Sequence, residues 1–134
     1  PGTRLLRILN QHSQQTGNPP KVLLYGAGKF TTRLLTERHL WENSLRPETG
    51  PRIIGLIDDH PRFQTQPTYL DLPVQSLAAA NAALTPGPDA PIIILSTDTY
   101  QDQFWQQTAP LRAKGICVYK LYEEAGFTGI ARPT

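Results

Sequence analysis

Gly26-Ala27-Gly28 directly follows the apolar run Lys21-Val-Leu-Leu-Tyr25 and directly precedes Lys29-Phe30-Thr31. A strand, a tight glycine turn and a helix in that order make an anion site. Glycine lets the chain turn sharply, and without a Cβ the backbone N–H groups approach a phosphate at the helix N-terminus. Lys29 stands in the first helical turn, beside any such phosphate. Thr31 takes the place where a third glycine would complete the longer dinucleotide fingerprint; its hydroxyl either bonds a phosphate oxygen or loosens helix packing. Asp58 and Asp59 end a second apolar run, Arg52-Ile-Ile-Gly-Leu-Ile57. A carboxylate at that edge accepts hydrogen bonds from both hydroxyls of a ribose. Ser96 and Thr97 follow a third run, Ile92 to Leu95, and add hydroxyls at the same edge. The expected ligand contacts are therefore Gly26, Ala27, Gly28, Lys29, Phe30, Thr31, Asp58, Asp59, Ser96 and Thr97, and their chemistry is recognition of phosphate and sugar.

Catalytic chemistry is harder to read. Tyr25 and Lys29 have the spacing of a dehydrogenase Tyr-x-x-x-Lys pair, but they straddle the turn instead of lying on a later helix. His12, His39 and His60 are far apart and lack metal-ligand spacing. No pairing of nucleophile and base emerges. Asp98 with Gln101 reads as a helix capping box.

The elements that must position these residues alternate. Leu5, Leu6, Ile8, Leu9 and His12 recur at helical spacing, which predicts an amphipathic helix over residues 3–16, stopped by Gly17-Asn-Pro-Pro20. Strands are predicted at 22–25, 53–57, 92–95 and 116–119. A helix with Phe30, Leu34 and Trp41 on its inner stripe follows the first strand and ends before Pro47. A polar loop (60–68) leads through Leu72-Pro-Val74 to an Ala-rich helix over 76–84. Asp98 opens a helix carrying Tyr100, Phe104, Thr108 and Leu111 on one face, kinked or ended by Pro110. Each strand is apolar throughout, as a strand covered on both faces should be. The expectation is a single α/β domain: a Rossmann-like open parallel sheet with helices on both faces. The N-terminal helix and turn occupy 1–19, the nucleotide-binding domain 20–124 and a tail 125–134.

The bulk properties narrow the class. At 134 residues and 39% hydrophobic content the chain can bury a real core without staples. One cysteine, Cys117, cannot form an internal disulfide, which points to a reducing, cytoplasmic setting. No apolar stretch approaches the ~20 residues of a membrane helix. The chain starts with Pro1, as a processed protein or a piece of a longer one does. Net charge is +2 but uneven: residues 1–57 carry eight Lys/Arg against three Glu, and 58–134 carry five against eight acids. The basic half holds the proposed phosphate turn. Scattered arginines without interleaved aromatics make a poor nucleic-acid footprint, and no nucleic-acid partner is expected.

Val22-Leu-Leu-Tyr-Gly-Ala-Gly28, Ile53-Ile-Gly-Leu-Ile-Asp-Asp59, Leu72-Pro-Val74 and Ser76-Leu77 occur in an order that resembles the Rossmann-like N-terminal domain of bacterial nucleotide-sugar acetyltransferases. They are similarly close to that region of capsular-polysaccharide epimerase/dehydratase proteins. The likeness covers residues 20–122. It implies binding of NAD or a UDP-type nucleotide sugar, in a recognition or regulatory module tied to cell-surface polysaccharide metabolism. The implied partner is a second copy or a fused or separate sugar-modifying enzyme. Phe30 and Thr31 depart from the resembled turn, and Asp71 stands where a Gly normally precedes Pro-Val. The hexapeptide β-helix that carries acetyl transfer has no counterpart in these residues, so ligand binding carries over and acetyl transfer does not. An isolated domain without turnover is expected. The rivals are a small NAD(P)-dependent oxidoreductase or sugar epimerase, a methyltransferase, whose usual acid before the turn is replaced by Tyr25, and a pseudo-Rossmann protein-interaction scaffold.

Overall fold

The computed structural model describes residues 2–17, 21–36, 52–87, 90–97 and 100–121. The expected Trp41 stripe, the capping residue Asp98 and the 125–134 tail lie outside them. The elements are α1 (Gly2–Thr16), β1 (Lys21–Tyr25), α2 (Lys29–Thr36), β2 (Arg52–Ile57), α3 (Arg62–Thr65), β3 (Thr68–Tyr69), β4 (Leu72–Gln75), α4 (Leu77–Ala83), β5 (Ile92–Leu95), α5 (Gln101–Gln107), α6 (Ala109–Lys114) and β6 (Val118–Lys120).

One open sheet runs in the order β3-β4-β2-β1-β5-β6. All its pairs are parallel except the β3–β4 hairpin. From β1 the chain steps outward to β2 and β4, then returns to the other side of β1 for β5 and β6. The direction of travel therefore reverses between β1 and β5, the switch point at which open α/β sheets leave a crevice.

Strand alternation divides the core. Val22, Leu24, Leu56, Val74, Ile92 and Ile94 face α1, α2 and α3 through Leu5, Ile8, Leu9, Leu34, Leu35 and Phe63. Leu23, Tyr25, Ile57, Ile93, Leu95 and Val118 face α4, α5 and α6 through Ala80, Phe104, Trp105 and Leu111. Helices thus cover both faces of the sheet. Crossovers stepping toward β4 use the first face and those stepping toward β6 use the second, so all share one hand, as parallel crossovers require. The β5-to-β6 crossover leaves the first face near β6 uncovered. Helix α1 fills that place, its Leu5, Ile8 and Leu9 buried and its His12 Nδ1 hydrogen-bonded to the Tyr119 hydroxyl at 2.8 Å.

Two local features, a short helix and a hairpin, were not expected from the sequence. The 60–68 stretch holds a short helix, α3, seated by buried Phe63. It is followed by a tight hairpin in which Tyr69 pairs with Leu72 across Leu70 and Asp71. Both turn residues have positive φ (48° and 66°), the mirror-image geometry that suits twisted strands. Asp71 thus occupies the conformation for which glycine is the usual residue, and Asp tolerates it better than most. The helix expected to be kinked or ended by Pro110 is interrupted beside it, as two helices meeting at Thr108, whose hydroxyl donates to the Phe104 carbonyl at 3.0 Å and the Trp105 carbonyl at 2.9 Å. Pro110 starts the second helix, where its missing N–H costs nothing.

The register between β1 and β2 slips by one, pairing Val22 with Ile53 and Leu23 with Gly55. Ile54 is left without a strand partner and is exposed. Gly55 lets β4 approach: a Cβ there would meet the Pro73 carbonyl oxygen at 3.0 Å.

Candidate functional site

The carboxyl ends of β1, β2 and β5 converge on the switch point, and a cavity of about 530 Å³ opens there. Gly26, Ala27 and Gly28 form one side, Asp58, Asp59, His60 and Arg62 a second, and Thr97 and Tyr100 with the α5 side chains Gln103, Phe104 and Gln107 a third. The residues expected from sequence at 26–28, 58–59 and 97 meet here, although they come from three separate strand ends.

Within the turn the two glycines have different reasons. Gly26 has φ +106°, and a Cβ would touch Phe104 Cε2 at 3.4 Å and Thr97 Cγ2 at 3.5 Å. Its glycine is conformational, because L side chains rarely adopt that φ. Gly28 has no positive φ, and nothing lies within 4 Å of where its Cβ would stand. The space above Gly28 is open to a ligand.

The turn is held from three directions. Beneath it, fully buried Thr31 donates its hydroxyl to the Gly26 carbonyl and shares a 2.5 Å hydrogen bond with the equally buried Ser96 hydroxyl. Ser96 also reaches the Tyr25 carbonyl at 3.2 Å. From the β2 side, Asp58 Oδ2 accepts from the Ala27 N–H at 2.7 Å, and its Oδ1 from the His60 N–H at 2.8 Å. From α3, Arg62 Nη2 donates to the Ala27 carbonyl at 3.0 Å. Thr31 and Ser96 thus lie under the turn and not in the cavity wall. Lys29 and Phe30 open α2, with side chains outside the described part.

Asp58, Asp59, His60 and Arg62 all hold backbone. Asp59 Oδ1 accepts from the Leu77 N–H at 2.8 Å, and Ser76 Oγ from the Ala79 N–H at 3.1 Å, so two side chains cap α4. His60 Nδ1 accepts from the Arg62 N–H at 3.1 Å. Asp58 keeps spare acceptor capacity, since each carboxylate oxygen can take a second hydrogen bond. Tyr25 donates its hydroxyl to Gln107 Oε1 at 2.9 Å. Burial, reinforced by Asp59 and Asp58, holds its phenol far above the ordinary tyrosine range, so it stays protonated at neutral pH.

The α5 wall was not assigned to the site from sequence. Tyr25 and Phe104 stack with centroids 4.1 Å apart and planes 9° from parallel, and Tyr100 lies beyond Phe104 at 6.0 Å and 30°. Tyr100 is 56% exposed. Helical spacing marks Tyr100 and Phe104 as an inner face, but that face runs from the core out into the cavity. Their position in the first turns after a switch-point strand was the available signal.

Among the described residues no cluster of three His, Cys, Asp or Glu could hold a metal ion, and no helix is long and apolar enough to cross a membrane. The arrangement can hold a small ligand by turn amides, carboxylates, aromatic faces and carboxamides. Compared with known protein families, curated proteins and solved structures, this chain matches none.

Proposed function

We propose that this domain binds a small nucleotide-containing molecule, a nucleotide sugar or an NAD-type dinucleotide, over the Gly26–Gly28 turn. The observation that carries the reading is the coincidence of the cavity with the switch point, directly above a glycine turn whose Gly28 faces open space. Open α/β sheets place their ligands in this crevice. The open parallel sheet with its reversal at β1, the Asp58 carboxylate beside the turn and the exposed aromatic ring of Tyr100 support a ligand with sugar hydroxyls and a heterocycle. The resemblance to nucleotide-sugar enzymes supports a recognition or regulatory role in cytoplasmic surface-sugar metabolism. Phosphate would approach Gly28, with a ribose hydroxyl using the remaining lone pairs of Asp58.

The test is a thermal-shift panel of UDP-sugars, NAD(H), NADP(H), coenzyme A and S-adenosylmethionine, followed by calorimetry on the best ligand. The wild type should be stabilised by a UDP-sugar or NAD(H). Gly28→Val, whose Cβ would have no atom beyond its chain neighbours within 4 Å, should keep a melting temperature close to the wild type and lose that ligand. Unchanged affinity in this variant, or no shift with any of the panel, would remove the proposal.

A further inference from the structure

A second groove of about 510 Å³ lies on the α2 side of the same turn. Its wall is formed by Gly28, Thr32, Arg33 and Thr36 along α2, and by Arg62 and Tyr69 opposite. Among the described residues two guanidinium groups line it and no carboxylate does. The cavity on the other side of Gly28 has the opposite balance, with Asp58 and Asp59 against Arg62 alone among the described Lys and Arg. Arg62 belongs to both walls, its guanidinium lying over the Phe63 ring at 4.6 Å and the Tyr69 ring at 5.5 Å.

The groove is built before any ligand arrives. Thr32 donates its hydroxyl proton to the Gly28 carbonyl at 2.9 Å, so in its 2.5 Å contact with Tyr69 the phenol must be the donor. That link fixes the spacing between α2 and the β3–β4 hairpin. Stacking on two rings and the bond to the Ala27 carbonyl fix Arg62. A guanidinium restrained in this way loses less freedom when it grips an anion.

We infer that this groove is the anionic half of the site: it takes a phosphate group of the ligand, held by Arg62 and Arg33, while the cavity beyond Gly28 takes the uncharged heterocycle and sugar. This rests on the nucleotide-binding reading and adds a direction to it. A phosphate placed in the Asp58/Asp59 cavity would face two carboxylates; on the α2 side of Gly28 it faces two arginines.

The experiment compares wild type, Arg33→Gln, Arg62→Gln and the double variant at low salt. Calorimetry measures uridine against UDP and adenosine against ADP, and thermal shift measures inorganic pyrophosphate alone. Pyrophosphate should stabilise the wild type and not the double variant. At least one diphosphate should bind the wild type roughly tenfold or more tighter than its nucleoside, since charged hydrogen bonds contribute at about that level. The gain should shrink with each Arg→Gln change and with added salt, while nucleoside affinity stays put in Arg33→Gln, whose site does not line the cavity. A diphosphate gain that persists in the double variant would overturn the inference, as would nucleoside affinity falling in parallel in Arg33→Gln. Nucleosides binding without any diphosphate gain would leave the nucleotide reading standing and the groove refuted. Arginine-dependent stabilisation by pyrophosphate, with no nucleoside or nucleotide bound, would do the reverse. No response to any of these compounds would refute both.

Discussion

Gly26 and Gly28 are two residues apart in one turn, and alanine should affect them in opposite ways. At Gly26, alanine must adopt φ +106°, a strained conformation that costs on the order of 1–3 kcal/mol. Its Cβ would stand at ordinary contact distance from Phe104 and Thr97 (3.4 and 3.5 Å), so no clash is added. Against the strain, alanine removes freedom from the unfolded chain, which returns about 0.4–1 kcal/mol. The net expectation for Gly26→Ala is a loss of about 1–2 kcal/mol. For a domain of this size that lowers the melting temperature by about 3–10 °C. At Gly28 the entropy term acts alone, because φ is not positive and nothing lies within 4 Å. Gly28→Ala should be neutral or up to about 1 kcal/mol more stable. Urea titrations of the three proteins, with slopes compared to check that the transition itself is unchanged, measure this directly. Equal stabilities for the two variants, or a Gly28→Ala loss as large as that of Gly26→Ala, would refute the assignment of conformational strain to the first glycine and open space to the second.

Thr31→Val removes a buried hydroxyl that serves the Gly26 carbonyl and Ser96, and should cost about 1–3 kcal/mol in urea denaturation. A Thr31→Val/Ser96→Ala cycle should show coupling, with a smaller loss for the pair than the two single losses together. Ile8→Ala should cost about 2–4 kcal/mol, because α1 is seated in the same core as β1 and β5; a loss under about 0.5 kcal/mol would mean the helix is not docked in solution. Burial holds the His12 pKa below its ordinary value near 6.5, so the unfolded chain binds the proton more readily than the folded one. This contribution to stability is present above pH 6.5 and lost as pH falls below it; His12→Gln should flatten the decline between pH 7.5 and 5.5 in thermal melts. Burial also pushes the Cys117 thiol up, partly offset by its hydrogen bond to Tyr119, so at pH 8 it should react with iodoacetamide more slowly than in the urea-unfolded chain.

Much of the scaffold was legible in the chain because its signals are local. Four of the parallel strands are short apolar runs; β5 occupies the expected residues, and β1, β2 and β6 begin or end within two residues of them. Helix α1 announced itself through Leu5, Ile8 and Leu9, and α4 through the Ser76 cap before an alanine run. The place of the glycine turn, and the arrival of Asp58 and Thr97 at the same edge, follow from alternating strands and helices once the strands are parallel. What each side chain does at that edge was decided by strand order. Asp58 reads as a ribose acceptor; that its oxygens also take the Ala27 and His60 amides follows from folding, which sets β2 beside β1. Thr31 reads as a phosphate ligand or a packing fault; the neighbouring β5 brings Ser96, 65 residues away, and makes it a buried strut. Asp59 caps α4 because β4 pairs with β2. The Leu70-Asp71 turn carries no glycine, so its positive φ values were visible after the β3–β4 pairing and not before. Spacing along the chain records which residues share an element and a face. Partners across the sheet depend on non-local pairing, and that pairing exists in the folded molecule alone.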